Sequence, residues 1–312
     1  STHCIRIHKT PNHNDSTMSW YALLGAVEQG LVFGLMALGV YLTFRVLDFP
    51  DLTVDGSLPL GAAVSATAIS NGVDPYLSLV FAFLADFGAG MVTDFLNTKL
   101  KILHLLASIL SMIALYSVNI RIMQGPNVSL LGSGTVFEPL YDLGLPGYFA
   151  SPLLFILIAA TAVIGLIWFL HTEFGQAMLA TGDNAQMITS QGVSTHMMII
   201  FGVGLSNALV AFSGALVAQN QGAADVNMGV GTIVAGLASV IVGETLFGTR
   251  GIARTITAVL LGSIVYRTAI AMALGLKLGD FSFTPSDLNL ITAVLVVLAL
   301  TAPQIKQRLR KS

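Results

Sequence analysis

An all-α, polytopic membrane fold is predicted by three observations. Hydrophobic residues make up 54% of the 312 positions and charged residues only 10%, whereas soluble domains run near 25% charged. Apolar stretches long enough to cross about 30 Å of hydrocarbon recur along the chain. Two polar breaks interrupt this pattern at corresponding places in its two halves. Together they predict about nine spans arranged as an inverted repeat with broken helices.

Composition also excludes several classes. A net charge of -2 gives no reason to expect a nucleic-acid partner. The single cysteine, Cys4, lies in a polar tail, so neither a disulfide framework nor a thiolate metal site is expected. No GxxxxGK[ST] occurs, so a nucleotide-binding loop of that kind is absent from the sequence. The histidines sit in loops and at span ends, and no nucleophile–base pair or metal cluster converges as an intramembrane enzyme would require.

Residues 1–19 form a polar tail carrying His3, His8 and His13 and lacking the apolar core of a signal peptide. The stretch before Met18 reads as an extension ahead of the first span. The transmembrane domain is expected over 20–303, and 304–312 is a short basic terminus. Tyr21–Phe44 is the first span. LDFPDLTVDGSLPLG (47–61) follows, with extended backbone expected near 50–56 and a half-helix running toward Asn71. Asn71–Pro75 is a turn. Tyr76–Leu96 and Ile102–Met123 are spans, Gly125–Ala150 is a longer polar loop, and Ser151–Leu170 is the fifth span.

The second half repeats the first. Met197–Ala218 is a span, QNQGAADVNMGVG (219–231) is a break, and Thr232–Phe247 is a shorter apolar piece. Thr255–Leu274 and Leu288–Ala302 complete the set. Asp51 and Asp225 lie 174 positions apart, as do Ser57 and Gly231, where the short pieces are expected to begin. One odd span between the halves makes the second copy run the opposite way. Paired broken helices in an inverted repeat are typical of transporters and point to the breaks as the pathway. Asp51, Thr53, Asp55, Asp225, Asn227 and Gly229 are therefore the candidate pathway residues, because irregular backbone at membrane depth must be buried in protein or line a cavity.

With a cytoplasmic carboxyl terminus, nine basic residues fall on the inner side and three, Arg121, Arg267 and Lys277, on the outer side. This obeys the positive-inside rule. Five charges fall within predicted spans: Glu28, Asp86, Asp94, Glu244 and Arg267. Such groups are costly in a bilayer and mark pathways, relays or interhelical bonds. Glu244 and Arg267, on adjacent spans, are expected to pair. Asp86, Gly90 and Asp94 share one helix face by their four-residue spacing, where close packing calls for small residues. These charges keep a proton- or ion-coupled secondary transporter open as an alternative.

His171–His196 is the one long polar interruption, placed on the cytoplasmic side by this topology. Asp183 followed by Gln186 has capping-box spacing, and Gly192 stands where a helix would stop. The interval Asn184–Gln191 makes about two turns, with Met187 and Ile188 as an apolar knob. Its local features fit a docking element and an ordinary connector equally well.

The chain resembles the permease subunits of bacterial ATP-binding-cassette importers of the branched-chain amino acid and ribose type, most of all the subfamily linked to tryptophan and tyrosine uptake. The resemblance covers about Trp20–Pro303. It is carried by FPDLTVDGSLPLGAAV (49–64), NTKLKI (97–102), FGQAMLATGDNAQMITSQGV (174–193), the long stretch 206–248 and LNLITAVLVVLAL (288–300). It implies a non-enzymatic membrane subunit, in the bacterial inner membrane, that moves a small polar solute by alternating access. The expected partners are a second permease copy, a dimer of cytoplasmic ATPase subunits holding ATP-Mg, and an extracytoplasmic substrate-binding protein. No cofactor is expected in this chain. The segment matching Gly182–Gly192 would be the coupling helix on the ATPase, with Gly182, Asp183, Asn184, Met187, Ile188 and Gly192 as its residues. Relatives often carry basic residues where this chain has Gln176 and Leu179, and commonly glycines where it has Asp86 and Asp94.

Overall fold

The computed structural model describes residues 20–139, 147–275, 277–278, 281–282, 293–294, 297 and 301. The two polar termini and nearly all of the ninth expected span, Leu288–Ala302, lie outside them.

Helix α1 (Trp20–Tyr41) passes without interruption into a π-helical turn, Leu42–Val46. After the first break come α2 (Val54–Ser70), α3 (Pro75–Thr98) and α4 (His104–Met123). The turn between α2 and α3 is set by local chemistry. Gly72 takes φ +82°, Pro75 occupies the first helical turn, and the Asp74 carboxylate accepts from Tyr76 N at 2.8 Å and Leu77 N at 3.3 Å. A short strand β1 (Asn127–Ser129) and α5 (Gly147–His171) follow. Next are α6 (Glu173–Asp183), α7 (Ala185–Ser190) and α8 (Thr195–Gln221). After strand β2 (Ala223–Asp225) the chain continues into α9 (Thr232–Phe247) and α10 (Ile252–Gly275).

Among the described residues, six helices are long and apolar enough to cross a membrane: Ala22–Val46, Pro75–Thr98, His104–Met123, Ser151–His171, Thr195–Gln221 and Ile252–Ala273. The sequence predicts about nine. The difference has a structural reason. Helices α2 and α9, only 17 and 16 residues long, are the helical parts of the two broken spans and account for two of the three. The third is the span at 288–302, nearly all of it outside the described residues.

The inverted repeat is visible in the packing. Exchanging α1 with α8, α2 with α9 and α3 with α10 carries the α3–α8 interface onto α10–α1, and α2–α3 onto α9–α10. Helices α2 and α8 meet backbone to backbone. A methyl group at Gly61 would lie 1.9 Å from Ala211 O, and one at Gly214 would lie 2.0 Å from Leu58 O. Small residues permit this approach, which drives helix association where apolar burial cannot. Serines fasten α8 to α1: Ser206 Oγ donates to Gly39 O at 2.6 Å and Ser213 Oγ to Val32 O at 2.8 Å.

Candidate functional site

The π-helical end of α1 delivers the first break. Leu47 N–H donates to Leu42 O at 3.0 Å and Phe49 N–H to Thr43 O at 2.9 Å. Asp48 then takes φ +50°, a left-handed conformation that aspartate tolerates better than most residues. The Asp51 carboxylate accepts from Thr53 N at 2.9 Å and, on its other oxygen, from Asn207 Nδ2 of α8, also at 2.9 Å. Ser57 Oγ donates to Asn207 Oδ1 at 3.2 Å. All four residues are buried. Helix α2 begins at Val54 and not at Ser57, because the turn closed by Asp51 starts the helical register at once. The backbone expected to be extended through 56 is therefore helical from Val54 on, and only the residues up to Leu52 lie outside turn and helix.

The second break uses the same device. Asp225 Oδ1 accepts from Asn227 N at 2.7 Å, the i to i+2 bond that Asp51 makes to Thr53, a short aspartate turn in each half. Asp225 also pairs with Asn127 in the antiparallel β1–β2 ribbon. The two half-helices meet at their N-termini. Asp55 Oδ2 accepts from Gly231 N at 3.1 Å, and Oδ1 accepts from Ile233 N at 2.8 Å and Thr232 Oγ1 at 3.0 Å. Three donors at the start of α9 are thus capped by a residue of the first break, and the carboxylate sits at the positive end of both helix dipoles. Pro59 has no N–H to give the Asp55 carbonyl. Gly229 lies over that same carbonyl, where a methyl group would come within 2.0 Å of the oxygen.

A cavity of about 410 Å³ opens beside this junction, lined among others by Asp55, Met112, Tyr116, Asn119, Asn227 and Val230. Of the six predicted pathway residues, Asp55 and Asn227 line it. Asp51 and Thr53 are enclosed in the network with Asn207, Gly229 is a packing contact, and Asp225 holds the ribbon and its turn. Tyr116 and Asn119 belong to α4, which the sequence reading treats as a plain span. The polar cluster Tyr116, Ser117 and Asn119 within one turn of a membrane helix is the signal that would have found them. Asn119 Nδ2 donates to Gly56 O at 3.2 Å, while its Oδ1 is buried without a partner.

The intramembrane charges distribute differently from expectation. Glu244 does not pair with Arg267. Arg45 at the end of α1 binds Glu244 through Nε, at 2.9 and 3.1 Å from the two carboxylate oxygens, and also through Nη2. Arg267 lies with its guanidinium carbon 3.6 Å from the centroid of the Phe33 ring, a cation–π contact between α10 and α1. Both arginines therefore bridge to elements remote in sequence, because α1 packs against both α9 and α10. Glu28 accepts from Asn220 Nδ2 at 2.7 Å. Asp86 and Asp94 are fully buried on the α3 face toward α8, and none of their four carboxylate oxygens has a hydrogen-bond partner.

The segment 171–196 folds as two helices, where the sequence reading marks one. Thr172 caps α6 by accepting from Gly175 N at 3.2 Å. Helix α6 runs through Asp183, so Asp183 is its last residue and cannot cap α7. The cap is Asn184, which is extended and accepts from Met187 N at 3.0 Å. Gly192, at φ +86°, ends α7 with Gly192 N donating to Thr189 O at 3.0 Å. The expected two-residue knob divides: Met187 is 48% exposed, whereas Ile188 is 5% exposed and packs inward. Gly182 is a contact of another kind. A methyl group there would lie 1.9 Å from Val46 O, so α6 is pressed against the last residue before the first break.

This arrangement defines a class: a membrane-embedded, pseudo-symmetric helical bundle whose two broken helices meet beside a cavity, with a short capped helix on a polar segment, is a transporter permease. The sequence matches the family described as branched-chain amino acid transport system, permease component, over residues 22–301, and the chain belongs to that family. It is 38% identical to a tyrosine transport system permease protein of Clostridioides difficile over 93% of this chain and 94% of that protein. It is 27% identical to the autoinducer 2 import system permease protein LsrC of Yersinia pseudotuberculosis, over 63% of this chain and 58% of that one. In fold it is similar to a chain of PsaBC from Streptococcus pneumoniae, with a TM-score of 0.50, 16% identity and 90% of each chain covered. The protein is a multi-pass permease component of an ATP-binding-cassette transporter, and the secondary-transporter alternative is not favoured.

Proposed function

We propose that this permease works as an importer of an amino acid, with the cavity at the Asp55 junction on the route and α7 as the contact with a cytoplasmic ATPase. The observation that carries the reading is the continuity between these two places. Helix α7 follows α6 directly, α6 abuts Val46 through Gly182, and Val46 leads through the break to Asp55 in the first turn of α2. The exposed Met187, beside a shallow depression along Ala185, Gln186, Thr189 and Ser190, suits insertion into a partner's groove.

In this reading two permease copies stand on an ATPase dimer that holds ATP-Mg, and an extracytoplasmic binding protein delivers the solute. The carboxyl terminus and 171–196 face the cytoplasm of a bacterial cell, and 125–150 faces outward. Transport requires ATP and solute to bind the two facing states with different affinities. An amino acid is supported by the family description and by the tyrosine transport system relative, and the cavity wall combines polar Asp55, Asn119 and Asn227 with apolar Met112 and Val230. The test is reconstitution with the ATPase and binding protein: amino-acid uptake that requires ATP supports the reading. Uptake that follows a proton gradient without ATP overturns it.

A further inference from the structure

We propose that the groove between α3 and α4 holds an acyl chain of an anionic phospholipid, with the lipid's phosphate at Lys99 and Lys101. Helix α3 packs mainly on α8 and α4 mainly on α2, so the two helices part above the turn that joins them. The space between them is a groove of about 570 Å³, backed by the buried Leu60 of α2. It follows α3 from Ala85 to Leu96 and α4 from Leu110 to Ile122, about 16 and 18 Å at 1.5 Å per residue. One leaflet's share of the hydrocarbon core is about 15 Å, so the groove has the length of a single lipid chain. Its walls are cut back by small residues, Ala85 and Ala89 on one side and Ser111 and Ala114 on the other. Small residues in a membrane helix ordinarily admit another helix, yet among the described residues no helix besides α2, α3 and α4 lines this space.

Two further observations identify the occupant. Ser111, at the end of the α4 wall nearer the lysines, is 8% exposed, and its Oγ is buried without a hydrogen-bond partner. An apolar side chain in the groove would leave that hydroxyl unsatisfied, whereas the ester carbonyl of a lipid accepts from it. The turn at the same end supplies the charge. Asn97 Nδ2 donates to Ile102 O at 2.7 Å, Ile102 N donates to Leu96 O at 3.4 Å, and Lys101 takes φ +55°, so the turn has a defined shape. Lys99 and Lys101 are exposed, and among the described residues neither pairs with a carboxylate. Leu100 and Leu103 are 59% and 76% exposed. Basic and apolar side chains alternating on one turn suit the boundary between headgroups and acyl chains, where lysines attract anionic lipid. Helix α4 also lines the Asp55 cavity through Tyr116 and Asn119, so a chain in the groove would brace that wall from its other side.

The test uses the permease in detergent, together with any partner subunits that copurify. Native mass spectrometry counts the lipid retained from an equal mixture of palmitoyl-oleoyl phosphatidylglycerol and palmitoyl-oleoyl phosphatidylcholine. The expected result is retained phosphatidylglycerol, preferred over phosphatidylcholine roughly tenfold, the order that two lysines supply. Lys99→Gln combined with Lys101→Gln removes the preference without unfolding the chain, because both side chains are exposed. Ala114→Phe fills the groove and removes the retained lipid. Should that variant fail to fold, phosphatidylglycerol with a photoactivatable diazirine in its acyl chain is used on the wild type, and labelling within 85–96 and 110–122 is expected. Equal retention of the two lipids by the wild type overturns the proposal, as does a preference that survives loss of both lysines. Labelling confined to other helices refutes the assignment to this groove. Displacement of the retained lipid by glycerol 3-phosphate would leave a headgroup site alone and refute the role of the chain. Cross-linking of two copies through Ala114→Cys in a Cys4→Ser background, with no lipid retained, gives the groove to a second permease copy and also refutes it.

Discussion

The carboxylate of Asp55 accepts the backbone N–H of Ile233 at 2.8 Å, so a side chain from one half of the repeat caps a helix of the other. Asp55→Ala leaves Gly231 N, Ile233 N and the Thr232 hydroxyl without that acceptor. Loss of a helix cap costs about 1–2 kcal/mol. The expected outcome is a lower Tm for Asp55→Ala, with Asp55→Asn intermediate because its amide oxygen still accepts. Thermal unfolding in nanodiscs checks this, and an unchanged Tm for the alanine variant would show that the cap is dispensable.

The caps of α7 separate two readings of its sequence. Asn184→Ala removes the bond to Met187 N, and a six-residue helix does not persist without tertiary or partner contacts. Asp183→Ala changes only the end of α6. Hydrogen exchange at 185–190 is expected to speed up in the first variant and to stay at the wild-type rate in the second.

Met187 and Ile188 are expected to part company in the same way. Met187→Asp keeps the permease folded while ATPase copurification falls, because a charge enters a groove that has no partner for it. Ile188→Asp lowers the stability of the permease itself, because that side chain is buried. Wild-type copurification by Met187→Asp removes α7 from the docking surface.

Arg45 and Glu244 are unequal partners. The Arg45 side chain is 57% exposed and that of Glu244 only 9%. Removing the arginine strands a nearly buried carboxylate, whereas removing the glutamate leaves an arginine that is already largely exposed. Arg45→Ala is therefore expected to lower Tm more than Glu244→Ala, with Glu244→Gln restoring part of the loss in the Arg45→Ala background. Equal losses in the two single variants would contradict this asymmetry.

Cysteines test the cavity. In a Cys4→Ser background, cysteine at Asn227 or Tyr116 is expected to react with a small hydrophilic thiol reagent, because both residues line the cavity. A cysteine at Thr53 stays protected, because that side chain is 1% exposed. Labelling kinetics followed by mass spectrometry distinguish the positions.

What the sequence made legible follows the range of the interactions. Apolar length and polar breaks are local, and they located α1, α3, α4, α5, α8 and α10, as well as the limits of α9 at Thr232 and Phe247. The Asp51 and Asp225 turns are local too, and their equal placement in the halves exposed the repeat. The cap on α9 was not legible, since its donors lie far along the chain from Asp55. Nor was the partner of Glu244: proximity along the chain favoured Arg267, while packing of α1 against both α9 and α10 handed each charge a residue from the first span. The one-residue error at Asp183 has another source. Both Asp183 and Asn184 are good caps, and only the unbroken register of α6 decides between them.

The ribbon joining Asn127–Ser129 to Ala223–Asp225 constrains how the loop after α4 tolerates insertions and deletions. A surface loop fastened only at its own ends can gain or lose residues freely. This one is zipped to a break nearly a hundred positions later, with Val128 opposite Ala224. A single deletion between Gln124 and Ser129 would slip that register and turn every ribbon side chain to the other face, carrying the distortion into the Asp225 turn and on to the start of α9. Length variation in this part of the chain is therefore confined to positions beyond the ribbon, and an insertion scan that starts at Leu131 should find the first permissive site there.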